Sequence, residues 1–265
     1  MPYLSSGKES EKSVALIAIS ALGNEDIAVK LASALGGLGA TSALASIATT
    51  AGPEGAASAE RALNEIFRYL QSGTVSIVDD GSKPIGNGTI IHEDGLILTA
   101  SYVAEKANYN RSVRVRTSTG ILLDTVILTI DDVNSLALLR TKEKTHLSSI
   151  RVSNVTPVIG DRLIGIVNVG RVAGLYRAEV GSVVGYTRRE EYGTDQIIAS
   201  LRGVKLGSGG SPIVNGSGEI IGMLCSIVND SDDTVIMVPA SEISLFIKNC
   251  ADSDDSSDSG ASPLN

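Results

Sequence analysis

Two patterns of hydrophobic positions divide the chain into two regions. Over residues 1–72, apolar side chains recur at every third or fourth position, as they do in residues 63–70. This spacing is typical of one face of an amphipathic helix. Glycine pairs and Gly-Pro steps at residues 36–37 and 52–53 interrupt the pattern. We therefore predict a helical N-terminal extension of three or four short helices over residues 1–72.

From residue 73 to residue 250 the pattern changes to short runs rich in Val, Ile and Leu, separated by Gly, Asn and Asp. Many short strands with turn residues between them favour a β sandwich or barrel. After Pro239 the chain is expected to close this domain with a helix that begins near Ser241 and ends near Cys250. The acidic segment 251–265 has no periodicity, which predicts a disordered tail.

Composition excludes several classes of function. The net charge of −8 argues against a nucleic-acid partner, because phosphate binding requires a basic surface. The longest apolar run near the N-terminus, residues 14–22, is shorter than the roughly 20 residues of a membrane span, so we expect no membrane anchor. The two cysteines, Cys225 and Cys250, give no disulfide framework and no metal-ligand spacing. These features predict an intracellular, cytoplasmic protein without a metal or cofactor, although an organelle remains open.

Three segments carry the candidate chemistry: residues 86–103 (GNGTIIHEDGLILTASYV), 132–139 (DVNSLALL) and 207–215 (GSGGSPIVN). In their order and spacing they resemble the trypsin-like serine protease superfamily, most closely its HtrA/Deg branch. The first is similar to the hairpin that ends in the catalytic histidine, the second to the strand of the catalytic aspartate, and the third to the nucleophile turn. The resemblance implies a mainly β fold, a double six-stranded β-barrel, over residues 73–250.

The resemblance places unusual residues at all three catalytic positions. Aligned without gaps, Tyr102 stands at the histidine position, Ser135 at the aspartate position and Gly209 at the nucleophile position. The triad needs a hydroxyl, an imidazole and a carboxylate. Glycine supplies no nucleophile, and a phenol with a pKa of about 10 is a poor general base at neutral pH. These positions predict a pseudoprotease, a protein of serine endopeptidase ancestry that is not an enzyme.

A displaced catalytic group is the alternative at this site. Ser208 and Ser211 flank Gly209, but either hydroxyl would need an activating base. The two histidines of the chain, His92 and His146, lie in a predicted turn and a polar loop, and we expect both to be solvated surface imidazoles. A thiol in an apolar run is usually a buried structural cysteine, which is our expectation for Cys225.

A protease groove without its triad can still bind a peptide by accepting it as an extra strand. In the family this role belongs to the oxyanion turn, with backbone donors at Gly207 and Gly209, and to the strand edge that follows it. The resemblance therefore implies a site for an extended peptide or protein partner at the following residues: Gly207, Ser208, Cys225, Ser226 and Ile227.

Two further hypotheses stay open at this point. The chain could be an active serine endopeptidase with a non-standard catalytic arrangement. Alternatively, the barrels could be a scaffold whose binding resides in the N-terminal helices. The sequence gives no indication of the oligomeric state.

Overall fold

A computed structural model of the chain has a bundle of four helices followed by two β-barrels. The structure describes residues 9–35, 37–107, 113–168, 172–190, 194–205, 207–228 and 233–258. Six helices and twelve strands occur among these residues. The helices are α1 (Glu9–Ala21), α2 (Glu25–Leu35), α3 (Gly37–Thr50), α4 (Pro53–Ser72), α5 (Ser101–Ala107) and α6 (Ala240–Asp258).

Strands β1 to β6 close into the first barrel, in the spatial order β1-β2-β3-β6-β5-β4, with β1 pairing antiparallel to β4. Val, Ile and Leu side chains from these strands fill the interior, as the strand-like hydrophobic runs predicted. The strands are β1 (Thr74–Val78), β2 (Pro84–His92), β3 (Leu96–Ala100), β4 (Val113–Thr117), β5 (Leu122–Asp131) and β6 (Leu136–Thr141).

Strands β7 to β12 close into the second barrel, in the order β10-β11-β12-β9-β8-β7, with β10 pairing antiparallel to β7. The double six-stranded barrel predicted from the resemblance is confirmed. The strands are β7 (Arg162–Asn168), β8 (Tyr176–Arg189), β9 (Thr194–Leu201), β10 (Pro212–Val214), β11 (Ile220–Ile227) and β12 (Thr234–Pro239).

Helix α4 connects the bundle to the barrels. Gly52 precedes it in an extended conformation and Pro53 stands at its start, where the missing N–H of proline costs no hydrogen bond. Leu70, in its last turn, is 1 % exposed and packs into the core of the first barrel, with Ile66 and Phe67 against the same core. The helical extension is thus attached to the barrels by a shared hydrophobic core.

Helix α6 closes the second barrel and extends past Cys250 to Asp258, into the segment expected to lack structure. Once a helix has formed its first turn, each further residue adds one hydrogen bond at little extra cost. A helix anchored on β12 can therefore continue into a polar sequence that would not nucleate a helix alone. Residues 259–265 of the predicted tail lie outside the described residues.

Candidate active site

Tyr102 lies at the cleft because it follows directly after the end of β3. β3 ends at Ala100, and α5 begins at Ser101, so that Tyr102 is the second residue of a short helix. The backbone N–H of Ser101 donates to the carbonyl oxygen of Ser135 over 3.2 Å. This bond holds the histidine-position helix against the aspartate-position loop, as the aligned motifs predict.

The glycine turn holds Gly209 opposite Tyr102. The N–H of Gly210 donates to the carbonyl of Leu224 over 2.8 Å, and Asn87 N–H donates to the carbonyl of Gly209 over 2.8 Å. Gly210 has a φ of +83°, and a Cβ there would lie 2.6 Å from Thr99 Oγ1 and closer still to the backbone oxygen of Asn87. Only glycine fits this position, because the backbone of β2 approaches the turn too closely for a side chain and the φ is positive.

Tyr102 occupies the space that a nucleophile side chain would need. A Cβ on Gly209 would lie 2.6 Å from Tyr102 Cζ and nearer still to the phenol oxygen. Tyr102 is nevertheless 45 % exposed, although its hydroxyl end lies against the glycine turn. The tyrosine at the histidine position and the glycine at the nucleophile position are therefore sterically linked.

Ser135 lies at the same end of the cleft, in contact with a cation and a thiol. It adopts a φ of +58°, an uncommon conformation for a non-glycine residue, and is 8 % exposed. Arg189 Nη1, from the end of β8, donates to Ser135 Oγ over 2.9 Å and to the carbonyl of Val133 over 3.3 Å. Ser135 also lies near the thiol of Cys225 and lowers the pKa of that thiol. A guanidinium thus faces the position where the family carries a carboxylate.

The electrostatics of this cluster favour neutral side chains. Burial, and secondarily the neighbouring thiol of Cys225, raise the pKa of Tyr102 to about 12. Burial also raises the pKa of the Cys225 thiol, and the nearby Ser135 and the charge of Arg189 offset this in part. Both groups are therefore protonated at neutral pH.

Cys225 packs against the hydrophobic core as predicted, but it is half-buried rather than fully buried. The reason is a bulge between Leu224 and Ser226, where β11 shifts register against β12. A bulge adds an unpaired residue and re-aims its side chain. Here it turns the thiol of Cys225 towards Ser135 at the cleft.

The two serines of the nucleophile turn differ in their partners. Ser211 is fully buried, and its Oγ accepts a hydrogen bond of 2.7 Å from Asn87 Nδ2. Ser208 is 1 % exposed, and its Oγ has no hydrogen-bond partner in the described part of the chain. The hydrogen bond between Asn87 and Ser211 could not be predicted from the sequence, because the two residues are more than 120 positions apart.

Both histidines lie at the far end of the β2–β3 hairpin from Tyr102, separated by the length of β3, about 17 Å. His92 Nδ1 is 3.4 Å from Asp94 Oδ2, and His146 Nδ1 is 3.6 Å from Glu93 Oε2. Their side chains are well exposed, as the sequence predicted. Neither histidine reaches the cleft.

One edge of β11 lacks a neighbouring strand in the described structure. β11 pairs with β12 as far as Ile227, but with β10 only as far as Met223. Val228 N–H donates to Thr234 O on the β12 side over 2.9 Å. Because successive N–H groups of a strand point to opposite sides, the N–H and C=O of Ile227 point away from β12.

The comparisons with known proteins establish the class. A family model described as the trypsin-like peptidase domain matches residues 86–223, which is more than half of the chain. The chain therefore belongs to the trypsin-like peptidase domain family. The match spans Tyr102, Ser135 and Gly209.

Several of the proteins that the chain resembles are named as Do-like, HTRA or Deg proteins. The chain is 31 % identical to the Do-like 14 protein of Arabidopsis thaliana over 183 residues, 63 % of this chain and 41 % of that protein. It is 28 % identical to the mitochondrial serine protease HTRA2 of Bos taurus over 148 residues, 53 % of this chain and 31 % of that protein. The matches thus span less than half the length of these relatives.

A solved structure supports the fold alone. The serine endoprotease of Yersinia pestis superposes with a TM-score of 0.58 at 20 % identity, covering 71 % of this chain and 65 % of that one.

The Escherichia coli relative, the periplasmic pH-dependent serine endoprotease DegQ, is 23 % identical over 66 % of this chain and 38 % of that protein. Across the described residues, no helix has both the length and the apolar character that crossing a membrane requires.

The comparisons contradict the prediction that the chain is not an enzyme. The family is one of peptidases, and the relatives from Bos taurus and Escherichia coli are named as a serine protease and a serine endoprotease. The prediction went wrong by inferring the activity of a whole protein from three side-chain identities. Those identities describe one catalytic arrangement, whereas the comparisons place the chain among enzymes.

Proposed function

We propose that this chain is an HtrA-type trypsin-like domain whose cleft binds an extended polypeptide as an added strand beside β11. The open edge of β11 is the observation that carries the proposal, since strand addition uses main-chain hydrogen bonds. Ile227 offers one N–H donor and one C=O acceptor on that edge. The proposed site consists of the turn and the edge together: Gly207, Ser208, Cys225, Ser226 and Ile227.

The turn and the edge are connected in a way that suits one continuous ligand. Gly210 N–H donates to Leu224 O, and Leu224 N–H donates to Ser211 O over 2.9 Å. The edge begins directly after Leu224, so a strand added beside Ile227 would continue past the glycine turn. Tyr102 of the first barrel and Arg189 of the second barrel would line its path.

A binding experiment tests this proposal. A fluorescein-labelled casein, which has extended segments, is titrated with the protein and followed by fluorescence anisotropy. Ile227→Pro removes the N–H donor and should weaken binding about tenfold or more, the effect of roughly 1.4 kcal/mol. Ile227→Ala keeps the donor and is the matched control. Equal binding by both variants, each folded by its urea unfolding curve, would refute strand addition at this edge.

Hydrolysis of the bound polypeptide is a second candidate function, favoured by the serine proteases among the relatives. Ser208 and Ser211 are the hydroxyls of the nucleophile turn. In the same mixtures, mass spectrometry would detect cleavage, and a fluorophosphonate probe would label an activated serine. Cleavage that disappears in Ser208→Ala or Ser211→Ala would establish hydrolysis and identify its nucleophile. Binding without cleavage or labelling would reject hydrolysis and leave the binding proposal standing.

A further inference from the structure

A cavity of about 580 Å³ lies between the helical bundle and the second barrel. Residues of α3 and α4 form one wall, and residues of β7 and β8 form the other. None of the cleft residues lines it, so it is a separate feature from the candidate active site. A cavity of this size falls in the range of small-molecule binding sites.

The buried residues of the cavity lining are mainly apolar. Leu70, Leu163, Ile164 and Tyr176 line the cavity and are each at most 6 % exposed. The hydroxyl of Tyr176 is already hydrogen-bonded to Ser76 Oγ over 2.9 Å. A ligand that enters here would find mainly apolar contacts, which favours a hydrocarbon chain.

The mouth of the cavity is polar and positively charged. Asn64 and Arg162 are exposed there, beside the exposed Ala178 and Val180. A second arginine of the lining, Arg177, is held by Glu179 over 2.6 Å and by the carbonyl of Gly203 over 2.6 Å.

Among the described residues, the guanidinium of Arg162 has neither an ion pair nor a hydrogen bond with another side chain. An apolar interior with one available cation at its entrance is the arrangement that an amphiphile with a single negative head requires. A carboxylate suits it best, because a guanidinium binds both carboxylate oxygens through two parallel hydrogen bonds.

We propose that this cavity binds a long-chain fatty acid, with the acyl chain between α4 and β7 and the carboxylate at Arg162. Each methylene buried would raise the affinity about fourfold, so a longer chain binds more tightly until the cavity is full. The bound acid would bridge the helices and the second barrel. It would thereby stabilise their attachment, independently of peptide binding at β11.

Fluorescence titration tests the proposal directly. The chain has no tryptophan, so the fluorescence of 11-(dansylamino)undecanoic acid can be followed without energy transfer from the protein's own indoles. The probe should bind saturably with one site per chain and be displaced by palmitate. Decanoate should displace it only at higher concentration, and hexadecanol, which lacks the charge, should be at least tenfold weaker than palmitate.

Variants distinguish this site from general hydrophobic adsorption. Arg162→Gln should weaken palmitate binding about tenfold or more while leaving hexadecanol unchanged. Ala45→Phe places a ring into the cavity and should reduce both. Arg140→Gln, an exposed arginine of β6 in the first barrel, is the matched control and should bind as the wild type does.

Thermal unfolding gives a second readout, because a ligand of the folded state raises the unfolding temperature. Palmitate should raise it in the wild type and in Arg140→Gln, and much less in Arg162→Gln. The proposal is overturned if binding is not saturable, if hexadecanol equals palmitate, or if Arg162→Gln binds palmitate as tightly as Arg140→Gln does.

Discussion

The hydroxyl end of Tyr102 fills the space beside Gly209 where a nucleophile side chain would begin. A Cβ at Gly209 would come within 2.6 Å of Tyr102 Cζ and 3.3 Å of Cε1. The larger side chain at the histidine position and the missing side chain at the nucleophile position are therefore complementary. A side chain at Gly209 therefore requires Tyr102 to move, whereas a smaller residue at position 102 would leave this space open.

This complementarity predicts that Gly209→Ser destabilises the fold by about 1–3 kcal/mol, the usual cost of overpacking a filled site. Tyr102→Ala should remove the clash, so that Gly209→Ser costs much less in a Tyr102→Ala background. Urea unfolding of the wild type, both single variants and the double variant gives the coupling energy.

Ser208→Ala serves as the control for that cycle, because it alters the neighbouring residue without adding volume. It should show no coupling to Tyr102→Ala. Additive effects of Gly209→Ser and Tyr102→Ala would mean that Tyr102 leaves this space freely and that the steric link is absent.

Alkaline titration should reveal Tyr102 as a late-ionising phenol. Its pKa is raised from about 10 to about 12, chiefly by burial. The folded protein therefore retains a proton that the unfolded chain has lost. Its stabilising effect is complete below pH 10 and declines as the pH rises through about 12.

The ultraviolet absorbance of tyrosinate measures this ionisation. Tyr102→Phe should remove one tyrosinate signal that appears near pH 12 in the native protein and near pH 10 in concentrated guanidinium chloride. Tyr69→Phe, at an exposed tyrosine of α4, is the control and should leave the late signal in place. A Tyr102 signal near pH 10 in the native protein would contradict the burial of its hydroxyl.

The position of Arg189 predicts that a carboxylate introduced at position 135 would form an ion pair. Ser135→Asp would place an anion against Arg189 Nη1, which now donates to Ser135 Oγ over 2.9 Å. The left-handed φ of +58° is tolerated better by aspartate than by most residues. We expect Arg189→Gln to cost about 1–3 kcal/mol more in the Ser135→Asp background than in the wild type.

The coupling between Asp at position 135 and Arg189 should depend on pH, because it requires the ionised carboxylate. Arg189 would lower the folded-state pKa of the new carboxyl below its unfolded value of about 3.9. The coupling should therefore be complete above that value and disappear as the pH falls through the folded-state pKa. Ser135→Asn, which carries no charge, should show no such pH dependence. A coupling energy that is the same at pH 3 and pH 7 would rule out an ion pair.

The sequence predicted the two barrels, because strands and turns depend on local signals. The turn at Gly95, for example, requires a φ of +84° that glycine adopts freely, and the strand run on each side of it forms the predicted hairpin. The order of the three motifs then indicated which elements lie next to these residues: Tyr102 follows β3, Ser135 precedes β6 and Gly209 precedes β10. Strand pairing brought these positions together as expected.

The contacts within the site could not be predicted, because they join residues far apart in the sequence. The contact between Tyr102 and Gly209 spans more than 100 positions, and the bond from Arg189 to Ser135 spans 54. The direction of the Cys225 thiol depends on a bulge between Leu224 and Ser226. The pattern of apolar and polar residues along β11 does not predict this bulge. Arg189 also lies at the end of a strand, where arginine is common, so its identity alone does not indicate a contact with Ser135.

Asn87 connects the two barrels at the cleft, and its loss should loosen the whole site. Its N–H donates to Gly209 O, its Nδ2 donates to Ser211 Oγ, and its carbonyl accepts from Thr99 Oγ1 over 2.6 Å. Asn87→Ala keeps the backbone bonds but leaves the fully buried hydroxyl of Ser211 without its donor, which should cost about 1–3 kcal/mol in urea unfolding. Replacing the partner as well, in Asn87→Ala/Ser211→Ala, should recover part of that loss, because no buried polar group is then left unpaired. If the double variant is less stable than Asn87→Ala by the full cost of Ser211→Ala alone, the side-chain bond is not what holds the barrels together, and the cleft depends on backbone contacts.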